Sequence, residues 1–171
     1  ARAKDALENE RGADFMSRLE QFLPQLPTDA FQFAVEVRNA RWVGDELLGI
    51  LRENNVALVL NNYYTMPQLS ALRRRVDLQT ADFLYVRFLG DRKKMDEYVE
   101  GMIARGEKER HWDGLVWERS AELADWVDGL QYMVGVEPER EVYAFFNNHY
   151  AGYAPGSVSY THLRAHETGP Y

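Results

Sequence analysis

Cysteine is absent from the 171 residues, which removes disulfides, thiolate nucleophiles and sulfur-ligated zinc. No run of about 18 apolar residues occurs either, so no membrane-spanning helix is expected. The first fifteen residues, ARAKDALENERGADF, hold no apolar signal core and begin at Ala1 rather than an initiator methionine. A cytoplasmic protein, compatible with a reducing compartment, is the expectation that follows. Basic charge is also short: 20 Lys and Arg stand against 27 Asp and Glu, a net charge of −7. That deficit argues against broad nonspecific attraction to nucleic acid or an anionic membrane, which a positive surface field drives. Two basic runs, Arg73 to Arg75 and Arg92 to Lys94, read as solvated charge on a loop or helix end, with a local basic groove as the alternative. Neither a GxGxxG nor a P-loop is present, and no serine triad or close-spaced metal-ligand motif can be assembled. The cofactor is therefore left unassigned, and no metal is expected.

What the chain does have is apolar content, 46% of its residues, enough for one sizeable core in a single domain. It also has four β-type segments that turn polar at their ends: FAVEVRN at Phe33 to Asn39, VALVLNN at Val56 to Asn62, FLYVRFLG at Phe83 to Gly90 and VYAFFNN at Val142 to Asn148. Apolar strands with polar C-terminal ends and helical stretches between them predict parallel β/α units whose site sits at that rim. A full (β/α)8 barrel needs roughly 200 residues or more. About four units fit here, so the pattern predicts part of a TIM-type β/α-barrel. A partial barrel leaves two open strand edges and an uncovered interior, and self-association is expected of it.

Periodicity predicts the helices. Phe15, Leu19, Phe22, Leu23 and Leu26 recur at helical spacing over Asp14 to Leu26, and Pro24 and Pro27 close that segment. Gly44 to Asn54 forms the next helix through Leu47, Leu48, Ile50 and Leu51. Tyr63 to Thr80 reads as a loop with one short helix. The long crossing from Asp91 to Arg140 holds helical patterns at Met95 to Arg105 and Trp117 to Met133, the second with Trp117, Ala121, Ala124, Val127 and Leu130 in line. Its length suggests an insertion on the rim. From Ser157 the periodicity stops. The stretch SVSYTHLRAHETGPY resembles a translated sequencing adaptor, so residues 1–156 form the expected domain and 157–171 a non-native tail that takes His162 and His166 with it.

The segments FAVEVRNARW, ADFLYVRFLGDR and VYAFFNNHYAGYAP resemble the C-terminal half of the domain-of-unknown-function 72 family, also called the YecE-like family. The resemblance runs in order over roughly residues 13 to 156. It implies a TIM-type barrel with these segments as strands five to eight, and it implies no activity. The family's glycine- and tryptophan-rich first strand and its early glutamate motif have no counterpart here. Leu89 stands where many members carry histidine, and Asn61 and Asn62 stand where an aspartate is common.

On strand alternation Glu36 and Arg38 share one face, which in a barrel is the interior. A buried ion pair costs several kcal/mol of desolvation per ion, so its purpose is either function or ordering of the barrel mouth. Beside Arg38, Glu36 reads as a ligand or general base rather than an acid. Arg87 ends the seventh strand, where barrel enzymes bind phosphate, and its planar fork suits phosphate or carboxylate; pairing with Glu36 is the alternative. Tyr85, one step deeper, reads as packing. Asn39, Asn61, Asn147 and Asn148 offer amides that can orient a ligand, and asparagine equally ends strands and caps helices. Only one of Asn147 and Asn148 can face inward from a strand. His149 is a candidate general base, against a structural or exposed role. Trp42 either stacks a ligand ring or packs on the next helix. The expected function is therefore a polar rim that binds an anionic small molecule or a phosphodiester and hydrolyses it, against a non-enzymatic binding or regulatory barrel.

Overall fold

The computed structural model describes residues 2–107, 114–135 and 139–159. Helix α1 (Arg2–Phe22) runs into a 3-10 turn, Leu23–Gln25. Strand β1 (Ala34–Val35) is followed by a 3-10 turn, Ala40–Trp42, and by α2 (Asp45–Glu53). Then come β2 (Ala57–Tyr63), the short α3 (Leu69–Arg73) and β3 (Phe83–Gly90). Helices α4 (Arg92–Ala104) and α5 (Ser120–Gly135) lead to β4 (Glu141–Phe146). The four strands form one sheet in sequential order, every neighbouring pair parallel. Parallel neighbours need a crossover between them, and the intervening helices supply it. A parallel four-stranded sheet alternating with helices is the expected α/β arrangement, consistent with part of a TIM-type barrel. No helix among the described residues is long and apolar enough to cross a membrane.

One face of the sheet carries the core. Leu58 and Leu60 of β2 and Leu84, Val86 and Phe88 of β3 are buried there, against Leu47, Leu48 and Leu51 of α2 and Leu123, Trp126 and Met133 of α5. Phe88 is the hub: its ring stacks on Phe146 at 4.2 Å and meets Trp126 edge-on at 5.0 Å and Tyr150 at 5.3 Å. Gly129 lets α5 press on α3, because a Cβ there would lie 2.6 Å from Leu69 Cδ2. The opposite face carries a groove. Along β4 Tyr143 and Phe145 are exposed on that face and Val142 on the helix side, and neither β1 nor β4 has a neighbour on its outer edge among the described residues.

Several expectations need correction. Helix α1 starts at Arg2 rather than Asp14, because its upstream half is polar helix-forming sequence that leaves no apolar stripe to detect. Its inward residues are Met16 and Leu19, with Leu23 buried in the turn that follows, while Phe22 is exposed. On α5 the buried stripe is Leu123, Trp126, Gly129 and Met133. The predicted line through Ala121, Ala124, Val127 and Leu130 runs beside it, since the large indole of Trp126 sets which side turns inward. Strand β1 is two residues long rather than seven, for a reason that lies at the rim. The expected link from Gly106 to Asp113 lies largely outside the described residues, as do His162 and His166. Of the segment 157–171, residues 157–159 are described; they continue a helical stretch from 154, and Ser157 is buried.

The face assignment of α5 has a measurable consequence. Trp126→Ala should cost about 3–5 kcal/mol in urea unfolding, whereas Ala121→Ser should stay within about 0.5 kcal/mol. Equal losses would mean that α5 is rotated from the orientation described.

Candidate functional site

Beyond Val35 the backbone of β1 stays alongside β2, but side chains replace the ladder. Asn61 Nδ2 donates to the Val37 carbonyl at 2.9 Å, and Thr65 Oγ1 donates to the Arg38 carbonyl at 2.8 Å. These bonds satisfy the carbonyls that further strand pairing would have used. They also fix alternation: Val37 points into the core, and Glu36 points to the open face.

Glu36 is the centre of the site. Its Oε1 accepts from Arg38 Nε at 2.6 Å and its Oε2 from Arg87 Nη1 at 2.5 Å. The Glu36 side chain is only 16% exposed, against 49% for Arg38 and 38% for Arg87, so the carboxylate is sheltered and both guanidiniums keep access to water. The hydrogen bond to Glu36 holds the Arg38 pKa above its already high ordinary value. Arg38 also lies over the Tyr63 ring at 4.8 Å. Arg87 is in register with Asn61 of β2 and Phe145 of β4, and Tyr85 stacks on Phe145 at 5.1 Å. A groove of about 470 Å³ opens above these groups, lined by Ala34, Glu36, Val59, Tyr85, Arg87 and Tyr143 among others. At its lower end Glu141 accepts from Gln32 at 3.2 Å and from the Tyr143 hydroxyl at 2.9 Å, tying the first strand segment to the fourth.

The remaining predicted residues are engaged elsewhere. Asn39 caps the 3-10 turn by accepting from Arg41 N at 3.1 Å and donates to Glu8 at 3.3 Å. Asn61 is buried, with its amide committed to Val37. Asn147 and Asn148 lie past the end of β4 and serve its turn: Asn147 Oδ1 accepts from His149 N, and Asn148 Oδ1 accepts from Ala154 N, both at 2.9 Å. Of the two roles the sequence left open for these asparagines, their side-chain oxygens take the local one, closing the turn. His149 Nδ1 lies 2.7 Å from Asn147 Oδ1, within the same turn. Trp42 stacks on Phe15 of α1 at 4.8 Å, packing on the preceding helix rather than the following one. Asp91 caps α4 by accepting from Lys94 N at 3.1 Å. Among the described residues no cluster of three or more His, Asp or Glu is arranged to hold a metal ion.

On the helix-covered face the rim holds a network that strand periodicity does not announce. Asn62 Nδ2 donates to Glu122 Oε1, and Arg119 Nη1 donates to Glu122 Oε2 at 2.8 Å. The Arg119 guanidinium lies over the ring of Tyr150 at 4.9 Å. Burial pushes the Tyr150 phenol well above its ordinary range, and the charge of Glu122 adds to the effect. The i, i+3 spacing of Arg119 and Glu122 was the available signal; their joint use of Asn62, 60 positions from Glu122, was not readable.

The sequence model described as "Protein of unknown function DUF72" matches residues 8–169 of the chain. The chain belongs to the DUF72 family. A crystal structure of a DUF72 family protein from Thermotoga maritima superposes with a TM-score of 0.56 at 23% sequence identity, over 90% of this chain and 52% of that one. At that identity the likeness speaks for the fold. The present DUF72 chain spans about half the length of that solved relative. No curated relative matches it.

Close approach at the rim makes one DUF72 glycine critical. Gly90 has φ +71°, and a Cβ there would meet the His149 carbonyl oxygen at 2.4 Å. Gly90→Ala should therefore cost about 1–3 kcal/mol and displace the turn at 147–150. Thermal unfolding together with amide shifts in that turn would test it, and a neutral substitution would contradict the described contact.

Proposed function

We propose that the groove on the open face binds an anionic small molecule or a phosphodiester, with Arg87 of its lining as receptor and Arg38, on the other oxygen of Glu36, beside it. The observation that carries this reading is the shared carboxylate: Glu36 accepts from both arginines and so fixes both forks at one mouth. Two guanidiniums against one carboxylate leave net positive charge there, and each retains N–H groups for a ligand. A planar fork held in place loses less freedom on binding a phosphate or carboxylate than a free one would.

Within this reading Glu36 orients rather than attacks, because both of its oxygens are already hydrogen-bonded. His149 is held in the turn after β4 by Asn147, through both its backbone N–H and its ring Nδ1. The geometry thus favours ligand binding over hydrolysis. Arg87→Ala should weaken binding by about tenfold or more in calorimetric titrations against phosphomonoesters, phosphodiesters and dicarboxylates. Undiminished binding would remove the anion site. If the parent turns over a phosphodiester and Glu36→Gln stops turnover while binding persists, hydrolysis replaces simple binding as the function.

The same reading takes these four units as the C-terminal half of a TIM-type barrel, so that the rest of a longer chain would face the groove. The 171-residue chain alone exposes Tyr143, Phe145 and the outer edge of β4. Exposed apolar strands of this kind associate. Size-exclusion chromatography with light scattering should therefore report dimers or larger species. A cooperative, monodisperse monomer would refute the expectation.

A further inference from the structure

The other basic run ends in a different electrostatic state from its composition twin. Arg92 and Lys93 lie on α4 and pair with Asp96 and Glu97 one turn on, at 3.5 and 3.6 Å. Arg73, Arg74 and Arg75 lie at the end of α3, where the helix stops after five residues and the following chain is Val76-Asp77-Leu78. No carboxylate among the described residues pairs with any of the three. Asp77, the acid beside them, is taken by Arg52 at 3.7 Å and by Gln79 N at 3.1 Å. Arg73 lies over the Tyr132 ring at 4.2 Å, and its Nη1 is buried without a hydrogen-bond partner.

These groups line one cleft of about 410 Å³, formed by residues 73–79 with Tyr132 and Met133 of α5. It lies before β3 begins, at the opposite end of that strand from Arg87. The cleft is anchored rather than loose: Arg52 Nε donates to the Gln79 carbonyl at 3.1 Å, and Gln79 Nε2 donates to the Met133 carbonyl at 2.9 Å. In a chain of net charge −7, three clustered cations with no acid partner are out of keeping with the whole. A buried guanidinium N–H without an acceptor is costly to keep, and beside it the exposed Arg74 and Arg75, without an acid partner, present forks to an anion in the cleft.

We infer that this cleft is a second anion site, built for a small phosphate-bearing molecule. Arginine forks match phosphate oxygens in pairs, and the volume suits a ligand of metabolite size rather than a polymer. The site is independent of the groove at Glu36 and stands whether or not that groove binds anything.

Titration of the full chain with inorganic pyrophosphate, followed by amide NMR, tests it. Saturable shifts should appear at residues 73–79 and 132–133, and should persist when Arg87→Gln removes any that arise at the Glu36 groove. Arg73→Gln, and separately the exposed pair Arg74→Gln with Arg75→Gln, should each weaken binding by about tenfold or more. Arg92→Gln with Lys93→Gln, and Arg87→Gln, should leave these shifts unchanged. Absence of saturation, shifts elsewhere only, or equal weakening by the Arg92 and Lys93 pair would overturn the assignment. So would binding of a single-stranded oligonucleotide at the cleft that pyrophosphate fails to displace.

Discussion

A parallel sheet is stable when both of its faces are covered, and here only one is. Strands β2 and β3 are the two with hydrogen-bonded neighbours on each side, and their helix-facing residues are nearly inaccessible to water. The remaining features follow from that asymmetry. On the covered face, aromatic packing around Phe88 fixes α5 and the turn after β4 at once, because Trp126, Phe146 and Tyr150 all meet the same ring. On the other face no helix among the described residues covers the sheet: Val59 and Phe83 are buried beneath the groove, while Tyr143 and Phe145 of β4 are exposed. Polar and charged residues can stand there at a lower desolvation cost than the covered face would impose, because water still reaches the groove.

Glu36 shows how that difference is used. A sheltered carboxylate costs several kcal/mol in lost hydration unless charge-assisted bonds replace the water. Two arginines do so, one from its own strand and one from β3, and their greater exposure means that they are not themselves stripped of solvent. The bond from Arg87 is also structural. It ties β1 to β3 across β2, at the level where β1 has ceased to pair through its backbone. The pair that orients the mouth therefore also holds the short edge strand in place, and the two roles considered for it from the sequence are not exclusive.

Strand identity, parallel order and the common face of Glu36 and Arg87 were legible in the sequence, because period-two alternation leaves little choice of face. What escaped was decided by contacts distant in the chain. The length of β1 depends on Asn61 and Thr65, which lie 24 and 27 positions away. The orientation of α5 depends on the fit of Trp126 against Phe88, which a count of small apolar residues at helical spacing underweights. The asparagines were ambiguous in principle. An amide at a strand end can face a ligand or close a turn, and at Asn147 and Asn148 the chain reverses so tightly against Gly90 that free backbone N–H groups need them first.

Helix length governs the charges in the same local way. An isolated pair on a helix surface forms only if the chain remains helical long enough to bring position i+4 onto the same side. Helix α4, thirteen residues long, gives Arg92 and Lys93 acidic partners within itself. Helix α3 ends at Arg73, so the run that begins there has no second turn in which to find one. Two tripeptides of equal charge thus diverge, one with two of its three cations paired along a helix and the other left facing a cleft. A run of basic residues consequently carries meaning only when the length of the element beneath it is known.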